Sequence, residues 1–352
     1  MTYEHLGSLQ GLLNDKLITM RKHPTRDLVV YNYTAFAQSL KIHEWSPALC
    51  DCRGLILDGA GRVVGRPFRK FWNYDQVSDK IPNLPFTVWE KLDGSLGIIC
   101  NHRGKLVVST RGSFESYQAK WAEKWLEEKL PGWVPMAGLT YLVEIIYPEN
   151  RIVVDYGGAQ TLKLLAVMEA DGTENLAMFY AEKWDKARGL PPNTLSSAIG
   201  PDPLNEPNKE GYVVRWANGF RAKIKFAEYV RVHRLITQVS TRSIWELLRA
   251  GKSTQELVDR VPWDFKKWVT GEIDRQLIGH AHIEITARLA FSKAGPFSTR
   301  KSYAEWAKKQ QFPGVLFALY DGKPIEDPIW KMVEPRSLSP GATPFRREFG
   351  ND

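Results

Sequence analysis

Trp89-Glu90-Lys91-Leu92-Asp93-Gly94-Ser95-Leu96 sets the terms for the rest of this chain. Apolar residues flank the charged centre, so the segment reads as a strand, a tight Asp93-Gly94 turn and a second strand from Ser95. An Asp-Gly pair supplies the positive φ angles that a two-residue hairpin turn requires. Val88, Trp89 and Leu92 would partly desolvate Lys91, and burial disfavours an ammonium. At its reference pKa near 10.4 a lysine offers almost no free amine at neutral pH. Bringing that value to about 7.5 takes roughly 4 kcal/mol of environmental bias. The chemistry suggested is a nucleophilic lysine with a depressed pKa.

Working outward, the 352 residues are enough for two domains, or for one large domain with an appendage. A net charge of +8 and a pI near 9.2 favour a polyanionic partner such as nucleic acid. Trp, Tyr and Phe are plentiful and could stack on bases or simply fill a core. Cys50, Cys52 and Cys100 lack C-x-x-C spacing. This excludes a disulfide framework and a zinc site as readings, and fits a reducing cytoplasm. No run of eighteen apolar residues and no basic-then-apolar start is present, so no membrane association is expected.

Leu6, Leu9, Leu12, Leu13 and Leu17 recur at helical spacing and predict an opening amphipathic helix. Strands are expected over 27–33, then a hairpin over 52–68, and strands over 105–110, 140–147, 151–156 and 162–168. A helix is expected over 115–129, closed by Pro131 and Gly132. Residues 191–208 read as a surface loop. Residues 210–226 read as a second hairpin around Asn218-Gly219. From about Ser240 strand signals give way to helical patterns (244–250, 254–261, 265–277 and 303–311). The expected division is therefore 1–239, an all-helical domain 240–333, and a disordered tail from Glu334. His280-x-His282 lies in a helical pattern, where that spacing separates the two rings, so no zinc pair is expected. Gly157-Gly158 is not part of a nucleotide-binding glycine loop.

Lys91-x-Asp93-Gly94, Arg111-Gly112-Ser113, Glu144, Glu210-Gly211 and Lys223-x-Lys225 stand in the order and rough spacing of the covalent nucleotidyltransferases. That superfamily comprises ATP-dependent ligases and mRNA capping enzymes. Tyr31-Asn32-Tyr33, Cys52-Arg53-Gly54, Arg66-Pro67, Lys70-Phe71-x-Asn73 and Asn150-Arg151-Ile152-Val153 sharpen this to a resemblance to the phage-type RNA ligase 1 family. The resemblance covers 27–233 well and the helical region faintly. It implies an α+β nucleotidyltransferase domain followed by a helical C-terminal domain, and a three-step reaction. A lysine attacks the α-phosphate of ATP and expels pyrophosphate; the AMP passes to an RNA 5′-phosphate; a 3′-hydroxyl then displaces it.

On that resemblance Lys91 is the nucleophile. Asp93 and Gly94 flank it and shape the turn. Tyr31, Arg53, Lys70 and Arg111 would contact the nucleotide, although Tyr31 could equally be core. Arg111 marks a departure, since the most similar family member compared carries lysine there, and a planar fork is not a point charge. Lys223 and Lys225, two apart on a strand, share one face and would flank the triphosphate; a solvated edge strand is the plainer reading. Glu144, alone in an apolar strand, needs a cation or a hydrogen bond. It would serve the ribose or a metal, unless it makes a structural salt bridge. Glu210 is the second candidate ligand for Mg²⁺, or Mn²⁺. The implied partner is single-stranded RNA with 5′-phosphate and 3′-hydroxyl ends, nicked tRNA included, and the protein is expected to act as a monomer. Another superfamily ligase or an inactive RNA-binding relative is the alternative. The helical pattern after Ser240 argues against a following OB-fold, and the retained lysines argue against inactivity.

Overall fold

The computed structural model describes residues 1–200, 205–260 and 263–335, so the expected tail beyond Pro335 lies outside the described residues. The chain forms two compact units, the first comprising Met1–Val230 and the second starting at Arg231. The first is α+β, with three sheets among its described residues.

Its first sheet has the order β1 (Ile18–Lys22), β2 (Leu28–Tyr33), β3 (Arg53–Asp58), β4 (Val63–Gly65). After these come β5 (Trp72–Asn73), β6 (Phe86–Lys91), β7 (Ser95–His102), β8 (Lys105–Ser109), β9 (Leu139–Ile146), β10 (Thr161–Glu169), β11 (Gly189–Leu190), β12 (Gly211–Trp216) and β13 (Arg221–Lys225). The second sheet runs β10-β9-β7-β8 and the third β11-β6-β12-β13-β5.

Alternation along the strands accounts for the layering. Leu28, Val30 and Ile56 of the first sheet meet Ile98, Cys100 and Leu142 of the second in one core. Tyr141, Val143 and Ile145, of opposite parity on β9, pack on its other side against Ala119, Ala122 and Leu126 of helix α3. Here the helices are numbered α1 (Leu9–Asn14), α2 (Pro47–Asp51) and α3 (Tyr117–Lys129). Glu144 therefore cannot share the face that Val143 and Ile145 occupy. In the third sheet Val88, Val214 and Ala222 enter a separate core. Their neighbours in sequence, Lys91, Lys223 and Lys225 included, take the opposite face.

Three local expectations need correction. Lys91 and Ser95 do not belong to one hairpin: β6 pairs with β12 and β11, while β7 pairs with β8 and β9. Neither Asp93 nor Gly94 has a positive φ. The Asp-Gly pair carries the chain from one sheet to another, because the Asp93 carboxylate has distant partners that outweigh local turn preference. Residues 151–156 are not a strand, since Val153 N–H and Val154 N–H donate to that carboxylate at 2.8 and 2.9 Å rather than to a neighbouring strand. The 191–208 segment contains a short helix, Thr194–Ile199, and its residues 201–204 lie outside the described ones.

In the second unit, the long helix Trp263–Ser292 extends well past the expected 265–277. Its Ile283 and Ala287 pack with Tyr303, Val315, Leu316 and Ile329 from the helices Arg300–Ala307, Pro313–Tyr320 and Glu326–Val333. Tyr303 donates to the Leu316 carbonyl inside this core. No helix among the described residues is long and apolar enough to cross a membrane.

Candidate active site

Strand register brings the lysines together. Gly211 on β12 lies opposite both Lys91 on β6 and Lys225 on β13, so the two lysines flank it on one sheet face. Gly211 adopts φ +141°, and a Cβ there would sit 1.9 Å from the Ile224 carbonyl oxygen. Only glycine allows this crossing. The residue before it, Glu210, is buried and bridges the two ammoniums: Lys91 Nζ lies 2.7 Å from Oε2 and Lys225 Nζ 2.8 Å from Oε1.

This bridge overturns the expected depression of the Lys91 pKa. Burial pushes the ammonium's pKa down, but Glu210, then Glu144 and Asp93, more than offset it, and the value is raised. Lys91 rests as an ammonium. Glu210, although buried, is correspondingly held below the usual carboxylate range by Lys91 and Lys225. Glu144 behaves differently. Burial raises its pKa to about 7, the Glu210 and Asp93 charges adding to the effect and Lys91 opposing it. Its Oε1 accepts from Gly94 N–H at 2.9 Å, and a Cβ on Gly94 would come within 2.5 Å of the Ile145 carbonyl oxygen.

Asp93 is a buried anchor. It accepts from Val153, Val154 and, at 2.7 Å, the Tyr229 hydroxyl, while its own N–H donates to Tyr156 Oη at 2.8 Å. Tyr229 also lies under Lys225, 4.9 Å from the ring centre. Asn150, buried, accepts from Ser95 Oγ and donates to the Ile145 carbonyl, fixing the start of β7 to the end of β9.

A second group of cations surrounds Tyr33. Arg111 Nη1 donates to its hydroxyl at 2.9 Å, and Lys70 Nζ lies 5.1 Å from its ring centre and 5.0 Å from that of Trp45. Arg53 and Lys223 both approach the Phe71 ring at 5.7 Å. Burial, with repulsion from Arg111, lowers the Arg53 pKa; Lys70 is lowered by burial and by Arg53 and Arg111. For Lys223, burial and then Lys70, Lys225, Lys91 and Arg53 bring the ammonium to about 7. Among the described residues, the buried Arg53 Nη1, Asn32 Oδ1 and Asn73 Oδ1 have no hydrogen-bond partner. Asn73 stands beside Lys223 in register.

The predicted residues thus fall into two adjoining groups, Lys91, Asp93, Gly94, Glu144, Glu210 and Lys225 in one, Arg53, Lys70, Arg111 and Lys223 in the other. Tyr31 stands apart from them, packed on the core formed by Tyr33, Leu55 and Leu57. Sequence reasoning missed Tyr33 as the centre of the cations, and Tyr229, Tyr156 and Asn150 as supports. Tyr33 and Asn150 were within recognised motifs, but no local pattern marks Tyr156 or Tyr229.

Comparison with known proteins bears out the family resemblance. Residues 51–182 match the RNA ligase family of the T4 ligase 1 type. The chain is 27% identical over 189 residues to a provisionally named bifunctional polynucleotide kinase/RNA ligase of Autographa californica nuclear polyhedrosis virus. That match takes in 46% of this chain and 26% of the viral protein. It is 29% identical over 121 residues to a provisionally named RNA ligase of Thermovibrio ammonificans, covering 32% of each. The chain therefore matches about a quarter to a third of the length of these relatives. An archaeal ATP-dependent RNA ligase structure aligns with a TM-score of 0.45 at 13% identity, over 86% of this chain and 85% of that one.

Proposed function

We propose that this protein is an ATP-dependent RNA ligase that joins 5′-phosphate and 3′-hydroxyl RNA ends, with Lys91 as the residue that accepts AMP. The observation that carries this reading is the pairing of Lys91 with buried Glu210, beside Arg53, Lys70, Arg111 and Lys223, which form no ion pair among the described residues. Such a cluster suits a substrate that brings its own negative charge. ATP as substrate would place its phosphates against Lys223 and Lys225 and its nucleoside towards Arg53, Lys70 and Arg111. Tyr31 would bear on the nucleotide only from behind Tyr33.

Attack requires the Lys91 amine to be free. Glu210 Oε2, at 2.7 Å, is the nearest acceptor for its proton, and an arriving phosphate that draws Lys225 away would weaken the bridge. The amine nitrogen then bonds the α-phosphorus, the bond to the β-phosphate oxygen breaks, and pyrophosphate leaves with its electrons. Asp93, held by three donors, keeps the lysine's loop in place throughout.

Glu144 fits a divalent metal: it is a buried carboxylate that Lys91 only partly offsets, so its ionisation would gain from a further cation. Glu210 fits once released from a lysine, and Mg²⁺ or Mn²⁺ suits such hard oxygens. Bound there, a metal would neutralise charge developing on the phosphates. The helical unit would choose the RNA, nicked tRNA included, with the protein acting as a cytoplasmic monomer.

The test is incubation with Mg²⁺ and α-labelled ATP, then denaturation. Acid-labile label on the polypeptide that disappears on adding pyrophosphate is expected. Absence of label, with intact mass showing no AMP carried through purification, would overturn the reading.

A further inference from the structure

The row of cations on β13 does not end at the two lysines. Arg221, Lys223 and Lys225 alternate with Ala222 and Ile224, which belong to the core on the other side of the sheet. All three basic residues therefore share the Lys91 face. Directly across from Arg221 in register is Arg215 on β12. Like charges opposite each other on a sheet are destabilising, and among the described residues these two share a single carboxylate. Arg215 Nε and Arg221 Nη2 both approach the same oxygen, Oε2 of Glu174, the second at 2.7 Å. Arg221 also donates from Nη1 to the Gly219 carbonyl at 3.1 Å.

The three side chains are largely buried, at 18% exposure for Arg215, 12% for Arg221 and 9% for Glu174. Two guanidiniums and one carboxylate leave an excess positive charge in a desolvated place. Arg221 lies over Phe68, 4.5 Å from the ring centre, and Phe68 abuts Phe71, the ring that Lys223 and Arg53 approach. One aromatic wall thus links this pair to the cations already described. Burial, with repulsion from Arg215, lowers the Arg221 pKa, consistent with a cation short of counter-charge.

We propose that Arg221, with Arg215 opposite it, forms an additional phosphate subsite on this sheet face, two strand residues beyond Lys223. At about 3.3 Å per residue, that is roughly 7 Å farther along the row. Arginine's planar fork matches a phosphate bidentately. The phosphate comes either from the departing end of ATP or from the 5′ end of the polynucleotide. This subsite rests on the ligase reading, and its test separates the two.

Two half-saturating concentrations are measured in wild-type, Arg221→Gln, Arg221→Lys and Glu174→Gln proteins. One is that of pyrophosphate for removing label from Lys91; the other is that of a 5′-phosphorylated RNA oligonucleotide for taking AMP from the labelled protein. In Arg221→Gln, one of the two should rise about tenfold with Tm unchanged, and the one that rises identifies the phosphate. Arg221→Lys should recover part of the loss. Glu174→Gln, which removes the competing carboxylate, should lower that same concentration, whereas a purely structural triad would lose Tm instead. Unchanged values in both arms, or a fall in Tm with equal losses in both, would overturn the subsite. Should Arg221→Gln not fold, Arg221→Lys and Glu174→Gln decide by their opposite signs. If the wild-type takes no label, the ligase reading fails on its own. Calorimetric titration with pyrophosphate and with the 5′-phosphorylated oligonucleotide then still requires Arg221→Gln to weaken one of them.

Discussion

The two ends of the site hold their positive charges in opposite ways. Around Lys91 and Lys225 the cations share Glu210, with Glu144 and Asp93 close by, and the folded chain satisfies them itself. Around Arg53, Lys70 and Lys223 the cations face rings and one another, and their pKa values are depressed. The first end carries its own carboxylates, whereas among the described residues the second end forms no ion pair. On the reading proposed above, the difference keeps the nucleophile in reserve at one end and receives phosphate at the other. It also explains why Lys91, the residue expected to lose its proton most readily, holds it more firmly than Lys223.

Substitutions at the two ends should therefore diverge. The largest effect is expected from Lys91→Ala, which should reduce protein labelling by α-labelled ATP to background while still sealing a pre-adenylylated RNA. Persistent label would place the nucleophile elsewhere. Next, Lys225→Met strips a partner from buried Glu210 and should cost about 2–4 kcal/mol in denaturant unfolding; an unchanged midpoint would mean that the bridge is not formed.

Lys223→Met should do the reverse and raise the stability of the ligand-free protein by at least about 1 kcal/mol at pH 6. The folded pKa of Lys223, about 7, lies below its ordinary 10.5. The folded state thus carries the full penalty for charging it below pH 7, and that penalty is relieved as pH rises towards 10.5. The gain from Lys223→Met should shrink over this window, and a gain that persists at pH 10 would contradict the assignment. The smallest effect is the uptake of a fraction of a proton when ATP binds at pH 8, as phosphate recharges Lys223. Calorimetry in two buffers of different ionisation enthalpy measures it, and Lys223→Met should abolish it.

Much of this was legible in the sequence. Lys91, Glu210, Lys223 and Lys225 could be found because each lies in a short motif on an alternating strand, and period-two parity places the lysines on one face. The change to helices in the second half was equally plain. The errors have a common cause. A turn at Asp93-Gly94 is the local preference, but Asp93 finds its partners at Val153, Val154 and Tyr229. A depressed Lys91 pKa follows from its apolar neighbours, but the carboxylate that reverses it is supplied by another strand. Arg221 carried no reading of its own within the expected 210–226 hairpin; register sets it against Arg215, and Glu174 arrives from the segment after β10. Local composition describes what surrounds a residue along the chain, whereas charge balance depends on what arrives from far away.

The Asp93–Tyr229 hydrogen bond spans 136 positions of sequence. During synthesis, the loop that carries Lys91 emerges long before the tyrosine that anchors it, and bonds of such separation form slowly. The Lys91 loop is therefore among the last parts of its unit to gain its anchor. If Lys91 accepts AMP as proposed, that capacity works as a timer: a nascent chain can begin to build its sheets early, yet lacks the Tyr229 anchor of the Lys91 loop until Tyr229 has left the ribosome.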